Sequence, residues 1–235
     1  MGGYFGWKAD IGPNRLAKRG KMPGPHDKII ADAAKAALAP LGFRRKGQSR
    51  TWLADHGWWL TVVEFQPSAW SKGSYLNVAA HWLWSEMGSV SFDFGGRVAE
   101  FVEYLSDAQF APAIAPFAES AAAEAERLTQ TFTSLGATAT VLLKEERALG
   151  EAGRGGWMAY NAGVVAGLVG REDEAAEMFG RVLDRPASPG SVLHPAAERM
   201  ATLASEPSRV RNEVASLIWR QRDALRLPIL HDPPF

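Results

Sequence analysis

The chain has 235 residues, 46% of them hydrophobic and 22% charged, enough to bury a core without disulfide or metal staples. Lys plus Arg and Asp plus Glu each number 26, so no global field steers it toward nucleic acid or anionic lipid. It contains no cysteine, which excludes disulfides, thiolate zinc sites and cysteine nucleophiles and fits a reducing, cytoplasmic setting.

Residues 1–24 mix Gly and Pro with Lys8, Arg15, Lys18, Arg19 and Lys21. They read as a flexible tail or a mis-assigned start, since Met22 immediately precedes the first good helix; the alternative is a basic nucleic-acid-binding arm. The first helix is predicted over residues 26–39, where Ile30, Ala33, Ala34, Ala37 and Leu38 recur at helical spacing. Pro40 and Gly42 stop it. Strands are expected near residues 49–54, 58–66 and 75–84, the first two joined as a hairpin by Asp55-His56-Gly57. A short strand over 89–94 and a helix over 97–105 follow, the latter because Val98, Phe101, Val102 and Leu105 fall on one helical face. From residue 113 onward the chain reads as helical, with helices over 118–132 and 138–149. Gly150, Gly153, Gly155 and Gly156 then form the clearest linker.

Residues 42–84 hold Trp52, Trp58, Trp59, Trp70, Trp82 and Trp84, six of the nine tryptophans. Leu41, Gly42, Phe43, Arg45, Lys46, Gly47 and Trp52 precede an F-Q-x-S-x-W motif of Phe65, Gln66, Ser68 and Trp70, and Leu76, Asn77 and Val78 follow. In that order, over about residues 25–105, they resemble the bacterial domain-of-unknown-function family 4304. The resemblance implies a fold type, a bacterial cytoplasmic setting and, by association at family level, a conflict or toxin-immunity system. It implies no activity.

Beyond the linker, residues 157–186 resemble one tetratricopeptide repeat, with Gly163, Gly170, Ala175 and Phe179 at its small and aromatic positions and Pro186 near its end. Small residues let two antiparallel helices approach, and Gly170 lies at the turn. One such pair cannot bury both its faces, so it is expected to dock on helices over 195–205 and 207–226 rather than form an open solenoid.

Strand alternation proposes the site. In residues 58–66 one face carries Trp58, Leu60, Val62, Glu64 and Gln66; in 75–84 one face carries Tyr75, Asn77, Ala79, His81 and Leu83. If these strands pair, Glu64, Gln66, Asn77 and His81 form a polar strip, which is either a solvated sheet face or a binding cleft. Asp55 followed by Glu64-Phe65-Gln66 loosely resembles a metal-dependent nuclease pattern, with Gln66 where a cation is needed. No HExxH, GxSxG, P-loop or GxGxxG occurs, and the five histidines lack i,i+4 pairing. The basic Arg44, Arg45, Lys46 and Arg50 beside Trp52 read as a solvated turn. The tryptophans read as core.

The expectation is therefore an α+β fold: a helix on an antiparallel sheet (residues 25–110), a helical extension (111–150) and a helical region with a tetratricopeptide-like hairpin (151–235). No catalytic residue, metal or cofactor is expected. The expected role is a cytoplasmic interaction or accessory protein whose partner is a protein, not a membrane or nucleic acid. The alternative is a hydrolase or nuclease using Asp55, Glu64 and Gln66.

Overall fold

The computed structural model describes residues 24–85, 87–232 and 234–235. The expectation for residues 1–23 lies outside the described residues. The chain is α+β, as the alternation and periodicity imply: a five-stranded antiparallel sheet followed by a mostly helical half. It divides into two compact units. The first holds residues up to 83, 87–129 and 235; the second holds 84–86 and 130–234. The glycine-rich segment 150–156 lies inside the second unit.

The first unit opens with α1 (Pro25–Leu38), which buries Ile30, Ala34 and Leu38 and ends in a 3-10 turn closed by Gly42. The sheet is a meander in chain order: β1 (Arg44–Arg45), β2 (Thr51–Asp55), β3 (Trp59–Gln66), β4 (Gly73–Trp82) and β5 (Phe94–Glu103). The register pairs Glu64 with Asn77, Gln66 with Tyr75 and Leu60 with His81, so the polar strip does share one face. That face is buried over most of its length, while Glu64, Gln66 and Tyr75 at one end are half-buried. Asn77 is 6% exposed and His81 0%, and Leu60, Val62 and Ala79 beside them are buried. On the other face, Trp59, Val63, Phe65, Leu76, Val78 and Trp82 are buried, and the Phe65 and Phe117 rings lie 6.2 Å apart. Trp58 stacks on Trp82 at 5.8 Å. Both sheet faces are thus covered over most of β3 and β4, which explains why those strands are almost continuously apolar.

Three expectations change here. No strand covers residues 89–93 and no helix covers 97–105; instead one strand, β5, runs from Phe94 to Glu103, with Tyr104 and Leu105 beyond its end. The i,i+3,i+4 apolar spacing of Val98, Phe101 and Val102 arises instead from irregular pairing: the β4–β5 register shifts between Ser74 and Leu76 and again between Leu76 and Asn77. Gly95 is part of the strand rather than a break. A Cβ there would lie 2.5 Å from the Val78 carbonyl oxygen, so only glycine lets the two backbones come this close. The next helix also starts earlier than its alanine-rich part suggests. Helix α2 (Asp107–Thr131) contains Pro112 and Pro116. Each removes a helical N–H, which ordinarily breaks a helix. Burial of Phe110, Ile114, Phe117, Ala118 and Ala121 along one stripe holds the helix together across them.

In the second unit, α3 (Leu135–Ala148) is capped by the Ser134 hydroxyl, which accepts the Ala137 N–H at 3.2 Å. Helices α4 (Trp157–Leu168) and α5 (Glu172–Leu183) turn at Gly170, followed by α6 (Leu193–Leu203) and α7 (Pro207–Leu225). A Cβ on Gly163 would meet the Phe179 ring at 2.7 Å, and one on Gly167 would meet Ala175 at 3.8 Å. Those two contacts set an antiparallel register for the α4–α5 pair. Residues 159–168 of α4 are all buried, because α3, α5, α6 and α7 pack around that helix. The pair is the centre of a bundle, not part of an open solenoid.

Candidate functional site

The strands bring Glu64, Gln66 and Asn77 together. Asn77 Nδ2 donates to Glu64 Oε2 (3.2 Å) and to Gln66 Oε1 (3.0 Å). Arg97 of β5, opposite Asn77, donates from Nε to Asn77 Oδ1 (3.3 Å) and from Nη2 to Gln66 Oε1 (2.8 Å). Its guanidinium lies 3.9 Å from the centre of the Tyr75 ring. Burial pushes the Glu64 carboxyl above its ordinary range, and the Asn77 hydrogen bond and the Arg97 charge only partly oppose this. Arg97 was missed from sequence because its segment was read as helix. The four polar side chains bond one another around buried Asn77, with Glu64 and Gln66 half-buried and Arg97 exposed at the edge.

His81 does not join them. It sits four residues along β4 from Asn77, about 13 Å at ordinary strand rise. Its Nδ1 lies 2.8 Å from Ser91 Oγ and 3.1 Å from Asp93 Oδ2. Ser91 Oγ donates to Asp93 Oδ1 at 2.8 Å, and the Trp82 N–H donates to Asp93 Oδ2 at 2.7 Å. Ser, His and Asp are adjacent, but a nucleophilic triad needs the hydroxyl on one ring nitrogen and the carboxylate on the other. Here both meet Nδ1 of a fully buried His81, with Ser91 and Asp93 half-buried. The cluster ties the β4–β5 connection to the end of β4.

Asp55 and Glu64 do not converge either. Asp55 pairs with Leu60 and Glu64 with Thr51, at opposite ends of β2, again about 13 Å apart. Asp55 Oδ1 accepts the Gly57 N–H at 3.0 Å and so shapes the hairpin turn. Among the described residues, no group of three or more His, Asp or Glu side chains could hold a metal ion. No helix among them is long and apolar enough to cross a membrane.

The structure adds a different site. A cleft of about 550 Å³ opens where α1 begins, between that helix and the β3–β4 connection, lined by His26, Asp27, Arg50, Ser68, Trp70 and Lys72 among others. Arg50 forms its floor. Its Nε donates to Asp27 Oδ1 at 2.7 Å, its Nη2 approaches the same oxygen at 2.5 Å, and its Nη1 donates to the Gly73 carbonyl at 2.8 Å. Burial works against the Asp27 charge. The Arg50 hydrogen bond and charge, with the Gly24 N–H on Oδ2, outweigh burial and hold this carboxyl below its ordinary range. Burial lowers the His26 imidazole, as do the Arg50 and Lys72 charges, while Asp27 opposes them. His26 Nδ1 is buried and has no hydrogen-bond partner.

Trp70 stands on the rim, 95% exposed. The Ser68 hydroxyl accepts its N–H at 3.1 Å and that of Ser71 at 3.4 Å, which shapes the loop that displays the indole. Within the block of residues 42–84, the expectation that the tryptophans are core fails at this one position. The sequence signal was present: Trp70 is the one tryptophan of its block flanked by Pro, Ser, Lys and Gly rather than by strand-forming residues. Arg50, read as part of a solvated basic turn, is instead drawn into the ion pair with Asp27. No family model, curated protein or solved structure matches the chain.

Proposed function

We propose that this chain is a non-catalytic interaction module that holds a protein partner on the cleft beside Trp70. One observation carries the reading: a fully displayed indole on the rim of a cleft. Exposed tryptophans are rare because the side chain has so much apolar area to bury, and they recur as anchors of binding surfaces. The polar strip of the sheet supports the same reading from the other side. Glu64, Gln66, Asn77 and Arg97 are engaged with each other, not held toward a substrate. A bacterial conflict or toxin-immunity system is the setting in which we look for the partner, following the resemblance to family 4304. The helical hairpin is a less direct candidate for docking, since α4 is enclosed.

The test compares wild type, Trp70→Ala and Glu64→Gln as baits in the native host, then repeats the binding with the purified partner. Trp70→Ala should weaken partner binding by about tenfold or more, while Glu64→Gln should leave it unchanged. Retained binding by Trp70→Ala overturns the proposal. So does Mg²⁺-dependent cleavage of DNA or RNA by the purified wild type that Glu64→Gln removes, which would favour the hydrolase reading.

A further inference from the structure

We infer that Glu146 is a proton-operated clasp on the segment joining α3 to α4: uncharged, it holds residues 150–156 down on α5, and ionised, it lets them open. Glu146 lies in the last turn of α3 and is fully buried. Its Oε1 accepts the Gly155 N–H at 2.9 Å, and Gly155 is itself buried although residues 151–154 before it are exposed. Gly155 also rests directly on α5. Its φ is +70°, and a Cβ there would collide with the Arg181 carbonyl oxygen, so only glycine takes this seat. Arginines hold the exposed part of the segment. Arg185, just past the end of α5, donates from Nη1 to the carbonyl oxygens of Ala152 (3.4 Å) and Arg154, and Arg154 Nε donates to that of Leu149 (3.0 Å). Guanidinium groups and carbonyls do not titrate near neutrality. Among these anchors only the Glu146 carboxyl changes charge.

The seat suits a neutral carboxyl better than a carboxylate. A carboxylate offers lone pairs to about four donors. Here one N–H reaches Oε1, and Oε2 is buried without a hydrogen-bond partner. Arg181 keeps Nη1 3.9 Å from Oε1, beyond hydrogen-bond range, and gives Nη2 to Glu177 Oε1 at 2.7 Å. The charged groups facing Glu146 are Arg181, Arg154 and Arg185; α4 carries no charged residue. Burial outweighs the Gly155 bond and all three cations and pushes the carboxyl above its ordinary range. Lifting the segment removes that cover and lets water reach the carboxylate, so ionisation favours the open state. Gly150, Gly153 and Gly156 give the segment the backbone freedom to move. The closed state binds the proton more tightly than the open one. Its advantage is therefore full below the ordinary carboxyl pKa of about 4.5 and is lost as pH rises through the higher pKa of the closed state.

The experiment follows amide hydrogen exchange of the full chain by NMR from about pH 4 to 8, in wild type and Glu146→Gln, with rates corrected for the intrinsic pH dependence of exchange. Gly155 should exchange through a local opening. It should be less protected than Val164 and Val165 in α4 and insensitive to low urea, because a local opening exposes little surface. Its protection should fall about tenfold per pH unit above about pH 4.5, then level off once Glu146 is ionised in the closed state. In Glu146→Gln, which keeps an oxygen for the Gly155 N–H, protection should not change with pH. Three results each overturn the inference: protection of Gly155 that is flat with pH in wild type, that falls equally in Glu146→Gln, or that matches α4 and drops with urea as α4 does. The wild-type pH and urea dependence decide the matter alone if the variant does not fold. No residue of the Trp70 cleft takes part, so failure of the clasp leaves the binding-module reading standing.

Discussion

At the scale of single residues, burial decides what each charged group does. Glu146 on α3 is fully buried, accepts the Gly155 N–H at Oε1 (2.9 Å) and has no hydrogen-bond partner for Oε2. Arg181 Nη1 lies 3.9 Å from Glu146 Oε1. Burial pushes its carboxyl up; the Gly155 hydrogen bond and the charges of Arg181, Arg154 and Arg185 only partly oppose this. The folded pKa is thus above the unfolded value of about 4.5. A raised carboxyl contributes stability that is full below the unfolded pKa and is lost as pH rises through the folded one. Glu146→Gln, neutral throughout, should therefore gain melting temperature relative to wild type as pH rises from about 4 toward neutrality. Parallel melting curves over that range would contradict this. The same logic separates the two polar sets on the sheet. Strand alternation placed Glu64, Gln66 and Asn77 on one face correctly. It could not tell that His81, on the same face, meets Ser91 and Asp93, because that pairing depends on where the next connection folds back.

At the scale of elements, tertiary packing overrides local propensity twice. Residues 94–103 have a helix-like apolar spacing and two glycines, yet form a strand because β4 offers an unpaired edge whose backbone groups need partners. Helix α2 runs through Pro112 and Pro116 because its buried stripe outweighs the lost hydrogen bonds. Both prolines are exposed, so replacing one leaves no cavity. Pro116→Ala should restore the N–H of that turn and stabilise the protein by about 1–3 kcal/mol, reduced by the greater freedom of the unfolded chain. Chemical denaturation measures this; an unchanged or lower midpoint would mean that the prolines set a required bend. By contrast, the α4–α5 hairpin was legible. Gly163 facing Phe179, and Gly170 at φ 74°, are local steric requirements that the residue types announce directly.

At the scale of the whole molecule, equal numbers of acidic and basic residues put the isoelectric point near 7.0. Net charge is what keeps molecules apart in solution, so light scattering across pH 5–9 should show a solubility minimum near neutrality. A minimum displaced by more than about one pH unit would show that the folded charges titrate far from their ordinary values. What the sequence determined by itself follows from short-range periodicity and composition. It determined the α+β order, the antiparallel sheet, the face shared by Glu64, Gln66 and Asn77, the closely packed hairpin, and the exclusion of cysteine chemistry. What only the tertiary structure decided involves residues far apart in the chain. Arg50 reaches Asp27 and Gly73, each 23 residues away, and turns a basic loop into the floor of a cleft. The covered sheet face, the strand at residues 94–103 and the exposure of Trp70 alone among its block's tryptophans have the same origin. Each depends on which distant segment takes up the adjoining space, a quantity that no window of neighbouring residues contains.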